Sequence, residues 1–119
     1  MIKRWMVGLG MGLGLFSLQA QAELVDTLGE LTGYHIVERK QIKGWVDTDG
    51  TQDSAFKGCK KGRTILFEDG QSLTCSSYGY LYAYRPQAVI LSRELKLDDQ
   101  TLHSEYKMVV GDELFSMQR

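Results

Sequence analysis

Four tyrosines at alternate positions are the residues of this chain best suited to recognising a ligand. They occupy every second position from Tyr78 to Tyr84, and the residues between them are small or aliphatic. In an extended segment, this spacing places all four rings on one face, over about 20 Å of backbone. The tyrosines predicted to bind are Tyr78, Tyr80, Tyr82 and Tyr84.

Three interpretations of these tyrosines stay open at the level of sequence. The rings could fill one side of a small core, with their hydroxyl groups reaching its rim. They could instead form an exposed platform for a sugar chain or a protein loop, because rigid amphipathic rings bind at a low entropic cost. The third interpretation is stacking on single-stranded nucleic acid, which the acidic net charge and the predicted export disfavour. We therefore expect no nucleic-acid partner.

Basic side chains near the tyrosines form the one local charge bias of the sequence. Lys57, Lys60, Lys61 and Arg63 precede the tyrosines, and Arg85 follows them directly. Such a cluster is usually a solvated surface. Beside the tyrosines it could instead line a site for an acidic glycan or protein. We therefore add Lys60, Lys61, Arg63 and Arg85 to the predicted binding residues.

The sequence pattern contains no recognisable catalytic or metal-binding motif. His35 and His103 are the only histidines, and neither belongs to a nucleophile motif or has zinc-finger spacing. Paired carboxylates fall in predicted turns, where aspartate accepts backbone hydrogen bonds. These pairs are Asp47 and Asp49, Glu68 and Asp69, and Asp98 and Asp99. We predict no catalytic residue, no cofactor and no metal site.

The two cysteines, Cys59 and Cys75, predict a disulfide bond if the chain is exported. The bond would span 16 positions, and a loop of this size contributes roughly 3 kcal/mol to stability in the chain-entropy description. The spacing does not fit a C-x-x-C redox motif. Too few histidines accompany the cysteines for a zinc site.

The N-terminus predicts export. A basic head, Lys3-Arg4, precedes 14 uncharged residues and then Ala20-Gln21-Ala22, which together are typical of a secretory signal peptide over residues 1–22. The apolar run is short for a transmembrane helix, so an uncleaved anchor is the weaker alternative. We expect a periplasmic or secreted protein with no stable membrane insertion after cleavage. Without Lys3 and Arg4, 12 basic residues remain against 15 acidic ones.

Residues 23–119 predict one small, mainly β domain with a short N-terminal helix. Apolar residues at helical spacing predict a helix over 23–31, closed by Gly33. Asp69-Gly70 and Gly111-Asp112 predict tight hairpin turns. Strands are predicted over 34–37, 42–46, 63–67, 72–75, 78–84, 88–91, 95–97, 106–110 and 113–117. This pattern favours a small, antiparallel, strongly bent sheet or a partly open barrel, either SH3-like or OB-like.

One stretch of the chain carries a specific motif. It combines Phe56-Lys57-Gly58-Cys59, Gly62-Arg63-Thr64-Ile65, Asp69-Gly70, Cys75, the tyrosine run with Arg85-Pro86, and Val89-Ile90-Leu91. Over about residues 56–92, with a weaker match in the terminal hairpin, it resembles an uncharacterised family of small exported bacterial proteins. The chain departs from that pattern at Lys60-Lys61, where acidic or aromatic residues are expected, and at Gln87, where an acid is common. The resemblance implies no catalytic residues.

These observations predict a non-catalytic binding module of the periplasm. Its partner would be a protein or an envelope polymer that contacts the tyrosine segment and the adjacent basic loop. An inhibitor or immunity-type protein directed against a periplasmic enzyme is an alternative. A small hydrolase acting on envelope polymers is the alternative from a different class.

Overall fold

The computed structural model describes residues 23–119, so the predicted signal peptide lies outside the described residues. The predicted N-terminal helix is confirmed, because helix α1 covers residues 23–30 and is followed by a turn that leads to Gly33. This helix exposes three apolar residues: Leu24, Val25 and Leu28. The chain divides between Thr32 and Gly33, and the β unit runs from Gly33 to Arg119.

The described β unit contains nine strands, and every pairing between them is antiparallel. Their bounds are β1 (His35–Val46), β2 (Gln52–Asp53), β3 (Ala55–Phe56), β4 (Thr64–Phe67), β5 (Ser72–Cys75), β6 (Ala83–Tyr84), β7 (Gln87–Lys96), β8 (Leu102–Val110) and β9 (Glu113–Gln118). Seven of these strands form one sheet, in the order β2-β1-β4-β5-β9-β8-β7, while β3 and β6 form a second, small sheet.

An additional pairing of β1 with β7 closes six strands of the large sheet into a ring. Strand β1 has 12 residues and pairs with three strands, the short β2 and its two neighbours in the ring, β4 and β7. Its first half, from His35 to Gln41, pairs with β7, and its second half, from Ile42 to Val46, pairs with β4. The register shifts between Ile36 and Glu38 and again after Ile42, as β-bulges that bend a strand would produce. The predicted fold class, mainly β with a bent antiparallel sheet, is confirmed.

The core fills the inside of this ring. Every second residue of β4 and of β5 is buried, and the residues between them are half-buried or exposed, as the two-residue period of a strand requires. The three phenylalanines of the described chain, Phe56, Phe67 and Phe115, are all buried. Phe56 and Phe115 meet edge to face, with ring centroids 5.6 Å apart. An aromatic pair in this geometry adds to the free energy of burying the two rings.

The antiparallel registers define two ends of the ring. At one end, the last residues of β1 and β8 lie beside the first residues of β4 and β7. The small sheet of β3 and β6 lies at this end, where Trp45 Nε1 donates a hydrogen bond of 2.7 Å to the carbonyl of Ala55. We call it the capped end. The opposite end holds the first residues of β1 and β8 and the turn between β4 and β5, and we call it the open end.

Several predicted strand boundaries need correction. The strands predicted over 34–37 and 42–46 are one strand, β1, and those predicted over 88–91 and 95–97 are one strand, β7. In both cases the apolar runs are joined by charged or polar residues, most of which are exposed or half-buried. When the middle residues of a long strand are polar and exposed, its sequence therefore resembles two short strands joined by a loop.

The prediction of a continuous strand over 78–84 is wrong. Only Ala83–Tyr84 is a strand, and a single bridge pairs Gly79 with Cys59. Between the Phe56–Ala83 pair and the Cys59–Gly79 pair, the register slips by one residue. Gly58 lies at this slip with a φ of +86°, a left-handed conformation that a regular strand does not accommodate.

Candidate functional site

The four alternate tyrosines face solvent. We refer to Tyr78, Tyr80, Tyr82 and Tyr84 as the tyrosine surface. Their exposed fractions are 80%, 65%, 60% and 69%, in chain order. The residues between them are half-buried, and Leu81 packs against the core. The predicted alternation of faces is therefore present without a continuous strand, and the interpretation that these rings fill the core is wrong.

Backbone hydrogen bonds hold the tyrosine surface against the capped end. The amide of Cys59 donates to the carbonyl of Gly79 (2.7 Å), and the amide of Gly79 donates to the carbonyl of Cys59 (3.0 Å). The predicted disulfide is confirmed, and it joins Cys59 to Cys75 on β5 with 5.6 Å between the Cα atoms. The bond therefore ties the layer that carries the tyrosines to the ring of strands.

Two glycines let this layer approach the core closely. A Cβ atom at Gly58 would lie 2.1 Å from the carbonyl oxygen of Gly79. A Cβ atom at Gly79 would lie 2.9 Å from a ring carbon of Phe115. Because the backbone lies this close to buried groups, there is little space on its inner side for large side chains. The tyrosine rings consequently point away from the core.

Arg63, one of the predicted binding residues, is bound into the fold. It donates two hydrogen bonds to the carboxylate of Asp47, at 2.7 and 3.1 Å, and a third to the carbonyl of Gly58 at 3.3 Å. Its guanidinium lies 3.9 Å from the centre of the Trp45 ring, and the Arg63 and Asp47 side chains are only 11% and 12% exposed. The hydrogen bond from Arg63 holds the pKa of Asp47 below its ordinary value. We therefore assign Arg63 a supporting role rather than direct contact with a partner.

Lys60 and Lys61 remain exposed beside the tyrosine surface. Lys60 follows Cys59 and Tyr78 precedes Gly79, so the antiparallel bridge places Lys60 and Tyr78 opposite each other. Cross-strand neighbours in this register lie within reach of each other's side chains. The two lysines thus add positive charge at one end of the tyrosine surface.

The other two basic residues form exposed ion pairs. Lys57 lies 3.3 Å from Asp53, and Arg85 lies 3.3 Å from Glu68. The Arg85 guanidinium is also 5.9 Å from the centre of the Tyr84 ring. Exposed pairs of this kind contribute little to stability, so Arg85 is available to exchange its carboxylate for one from a partner.

The paired carboxylates behave as the predicted turn formers. Asp49 accepts a hydrogen bond of 2.9 Å from the amide of Thr51, and Asp98 accepts one of 2.8 Å from the amide of Gln100. These backbone hydrogen bonds hold the pKa of each carboxyl below its ordinary value. Across residues 23–119, no three potential ligands come together in a group that could hold a metal ion.

A cleft at the open end was not predicted from the sequence. Its volume is about 580 Å³, within the range of small-molecule sites. Side chains from β1, the β4–β5 hairpin, β7, β8 and the C-terminal residue line it. They are His35, Val37, Glu38, Lys40, Phe67, Gln71, Ser72, Leu73, Ile90, Ser92, Glu94, Ser104, Tyr106 and Arg119. One feature of the sequence hinted at this cleft: along β7 and β8, hydroxyl side chains take the place of apolar ones at alternate positions. That pattern indicates a cleft only when it is known which strands face each other.

Comparisons of the chain with protein-family models, with curated proteins and with solved structures gave no match. The resemblance to small exported bacterial proteins therefore rests on the sequence motif alone. No helix in the described part of the chain is long and apolar enough to cross a membrane.

Proposed function

We propose that this chain is an exported, non-catalytic binding protein that contacts its partner through the tyrosine surface and the basic residues beside it. The observation that carries the proposal is the exposure of four tyrosine rings on a backbone held against the core. A contiguous group of large exposed rings is uncommon on a monomeric protein and typically marks an interaction site. Tyrosine and arginine are both enriched in such sites.

The construction of the tyrosine surface favours tight recognition. Each tyrosine has only two side-chain torsions to fix on binding, so its contact area is gained at a small entropic cost. The backbone beneath the rings is already fixed by its hydrogen bonds to Cys59 and by the disulfide. Lys60, Lys61 and Arg85 add positive charge, which favours a partner with acidic groups and increases the rate of association.

Between the two partner classes, the geometry favours a protein over an envelope polymer. The tyrosine rings stand on an exposed surface, and they do not line the cleft at the open end. Broad surfaces with aromatic anchors and a charged rim are typical of protein interfaces. A partner that is itself an enzyme would make the chain an inhibitor or immunity-type protein.

The proposed compartment is the periplasm or the extracellular space. The Cys59–Cys75 disulfide fits an oxidising extracellular compartment. The predicted signal peptide over residues 1–22 and the resemblance to small exported proteins support the same proposal.

The test compares partner capture by two double variants. In the first, Tyr80→Ala and Tyr82→Ala truncate the centre of the tyrosine surface. In the matched control, Leu97→Ala and Leu102→Ala truncate two residues that are 65% exposed, close to the 65% and 60% of Tyr80 and Tyr82. Purified wild type and both variants are incubated with periplasmic extract and, separately, with purified cell-wall polymer. The complexes are quantified per mole of folded protein.

We expect wild type and the leucine variant to recover one protein in a constant molar ratio, and the tyrosine variant to lose it by tenfold or more. Loss of about tenfold corresponds to roughly 1.4 kcal/mol, a modest value for two interface tyrosines. Equal recovery by the two variants would exclude the tyrosine surface as the binding site. Retention on cell-wall polymer alone, lost in the tyrosine variant, would replace the protein partner with an envelope polymer, and release of soluble fragments from that polymer would show an enzyme.

A further inference from the structure

We propose that the cleft at the open end is a second, independent binding site, and that it takes a small uncharged carbohydrate. This site shares no residue with the tyrosine surface. The proposal rests on the polarity of the inner strand faces, on the charge balance of the lining and on its mixture of hydroxyl and apolar groups.

The inner face of β7 changes from apolar to polar as the strand leaves the core. Ala88, Ile90, Ser92 and Glu94 follow each other at alternate positions, so they share that face. Ile90 is a core residue, and both Ser92 and Glu94 line the cleft. Ser92 is 7% exposed and is the one polar residue classed as buried within residues 23–119. Ser92 therefore places a polar group at the boundary between the core and the cleft.

The neighbouring strands extend this polar wall. Ser92 pairs with His35 on β1 and with Tyr106 on β8, while Glu94 pairs with Ser104. All five residues line the cleft. Directly paired residues have Cβ atoms about 5 Å apart, so the imidazole, the hydroxyl groups and the carboxylate form one contiguous set of donors and acceptors.

The charges around the cleft balance. Glu38 and Glu94 are acidic, whereas Lys40 and Arg119 are basic. Lys40 lies between two carboxylates, with its Nζ atom 3.6 Å from Glu38 in the lining and 2.6 Å from Asp69 outside it. Two acidic and two basic residues leave the lining little net charge with which to compensate for that of an anion or a cation, and burying an unpaired charge there would be unfavourable. An uncharged ligand avoids this penalty.

The remaining groups suit a carbohydrate among uncharged ligands. Val37, which is 48% exposed, and the half-buried ring of Tyr106 provide an apolar part of the lining, against which the C–H face of a sugar ring can pack. The serine and tyrosine hydroxyl groups both donate and accept hydrogen bonds, and the carboxylate of Glu94 accepts them. Such a mixture of apolar surface and a few convergent polar groups is typical of small-ligand sites. The volume of about 580 Å³ accommodates one or two sugar rings.

The test is a titration of the full mature chain, labelled with ¹⁵N and followed by amide shifts in NMR. The first probe is the uncharged disaccharide of N-acetylglucosamine, and the second is the zwitterionic dipeptide glycylglycine. Ser104→Leu places an apolar side chain at the mouth of the cleft. Ser76→Leu is the matched control, because Ser76 is also exposed but lies next to β5 at the capped end.

We expect the disaccharide to shift the amides of Ser92, Ser104 and Tyr106 in the wild type and in Ser76→Leu. In Ser104→Leu the affinity should fall about tenfold or more, as expected when one or two ligand hydrogen bonds are lost. Absence of shifts at these amides up to tens of millimolar disaccharide would overturn the proposal. Shifts caused only by the dipeptide would also overturn it, because they would assign the cleft to a charged ligand.

The result is separable from that for the tyrosine surface. The variant carrying Tyr80→Ala and Tyr82→Ala should bind the disaccharide as the wild type does, because neither residue lines the cleft. Loss of disaccharide binding in this variant would place the sugar on the tyrosine surface and overturn the assignment to the cleft.

Discussion

The two ends of the strand ring differ in where their large side chains lie. At the capped end, Phe56 and Phe115 are buried directly beneath a backbone layer whose tyrosines are exposed. At the open end, hydroxyl and charged residues line a cleft that begins where the core ends. The capped end therefore separates the rings that stabilise the fold from the rings that are proposed to bind a partner, with one set on each side of a backbone layer. At the open end, the same strands hold core residues and cleft residues on one face.

The largest expected effect concerns the inner rings of the capped end. Phe115→Ala removes a ring that contacts Phe56 and lies beneath Gly79. We expect a loss of about 3–5 kcal/mol in the free energy of unfolding, because such a truncation leaves a cavity in a packed core. Urea denaturation followed by tryptophan fluorescence measures it. A loss below 1 kcal/mol would show that the layer above Phe115 does not depend on the core for its position.

The next effect concerns the covalent link between the tyrosine layer and the ring. Replacing both cysteines, Cys59→Ser and Cys75→Ser, should lower the free energy of unfolding by about 3 kcal/mol. The burial of two serine hydroxyl groups at these fully buried positions adds to this loss. Denaturation of the wild type with and without a reductant provides the control, since reductant should destabilise only the wild type. Equal stability of the reduced and oxidised wild type would show that the disulfide does not stabilise the link between the tyrosine layer and the ring.

A smaller effect is expected from the ion pair that supports the Gly58 loop. Asp47→Asn keeps the shape of the side chain but removes the charge that Arg63 contacts, and we expect a loss of about 1–3 kcal/mol at pH 7. The pKa of Asp47 is lowered in the folded state, so its stabilisation is present above the unfolded-state value of about 4 and disappears as the pH falls below it. The unfolding curves of variant and wild type should therefore converge in acid.

The control for this pH dependence is Asp99→Asn. Asp99 is fully exposed, and Lys96 is 3.9 Å away, so its replacement should change stability by less than about 0.5 kcal/mol. A constant difference between Asp47→Asn and the wild type down to pH 2 would contradict the assignment of the charge effect to Asp47.

Per substituted side chain, the outer rings of the capped end are expected to affect stability far less than the inner rings do. The double variant Tyr80→Ala and Tyr82→Ala should change the free energy of unfolding by no more than about 0.5 kcal/mol per site, because both rings are exposed. Urea denaturation of this variant beside Phe115→Ala measures the contrast directly. A loss comparable to that of Phe115→Ala would mean that the tyrosines belong to the core and would end the separation of stability from recognition.

The features predicted correctly from the sequence are those that depend on neighbouring residues. Asp69-Gly70 predicts the hairpin of β4 and β5, because a tight turn is determined by its own residues. The closure of β1 on β7 was not predicted as a pairing, since the two strands lie about 50 positions apart and no local pattern encodes their contact. The continuity of β1 was missed for a related reason, because its exposed polar half is stabilised by β7 rather than by its own apolar residues.

The candidate sites show the same division. The alternate spacing correctly predicted that the four tyrosines share one face. The same spacing occurs whether that face is buried or exposed, so the sequence did not decide between the two. The face that meets the core is decided by two close approaches, that of Gly58 to the carbonyl of Gly79 and that of Gly79 to the ring of Phe115. Arg63 was indistinguishable from Lys60 in the sequence, and only the position of Asp47 makes it a supporting residue. The cleft depends on residues from five separate segments, so the sequence alone does not indicate it.

The position of the disulfide makes the support of the tyrosine surface depend on oxidation. Cys59 belongs to the layer beneath the tyrosines, and Cys75 belongs to a strand of the ring. In the proposed exported protein, the reducing cytosol would keep this disulfide from forming, and the layer would be held there by hydrogen bonds alone. Oxidation after export would then fix the layer beneath the tyrosines in place, so the proposed binding surface would be complete only outside the cytosol.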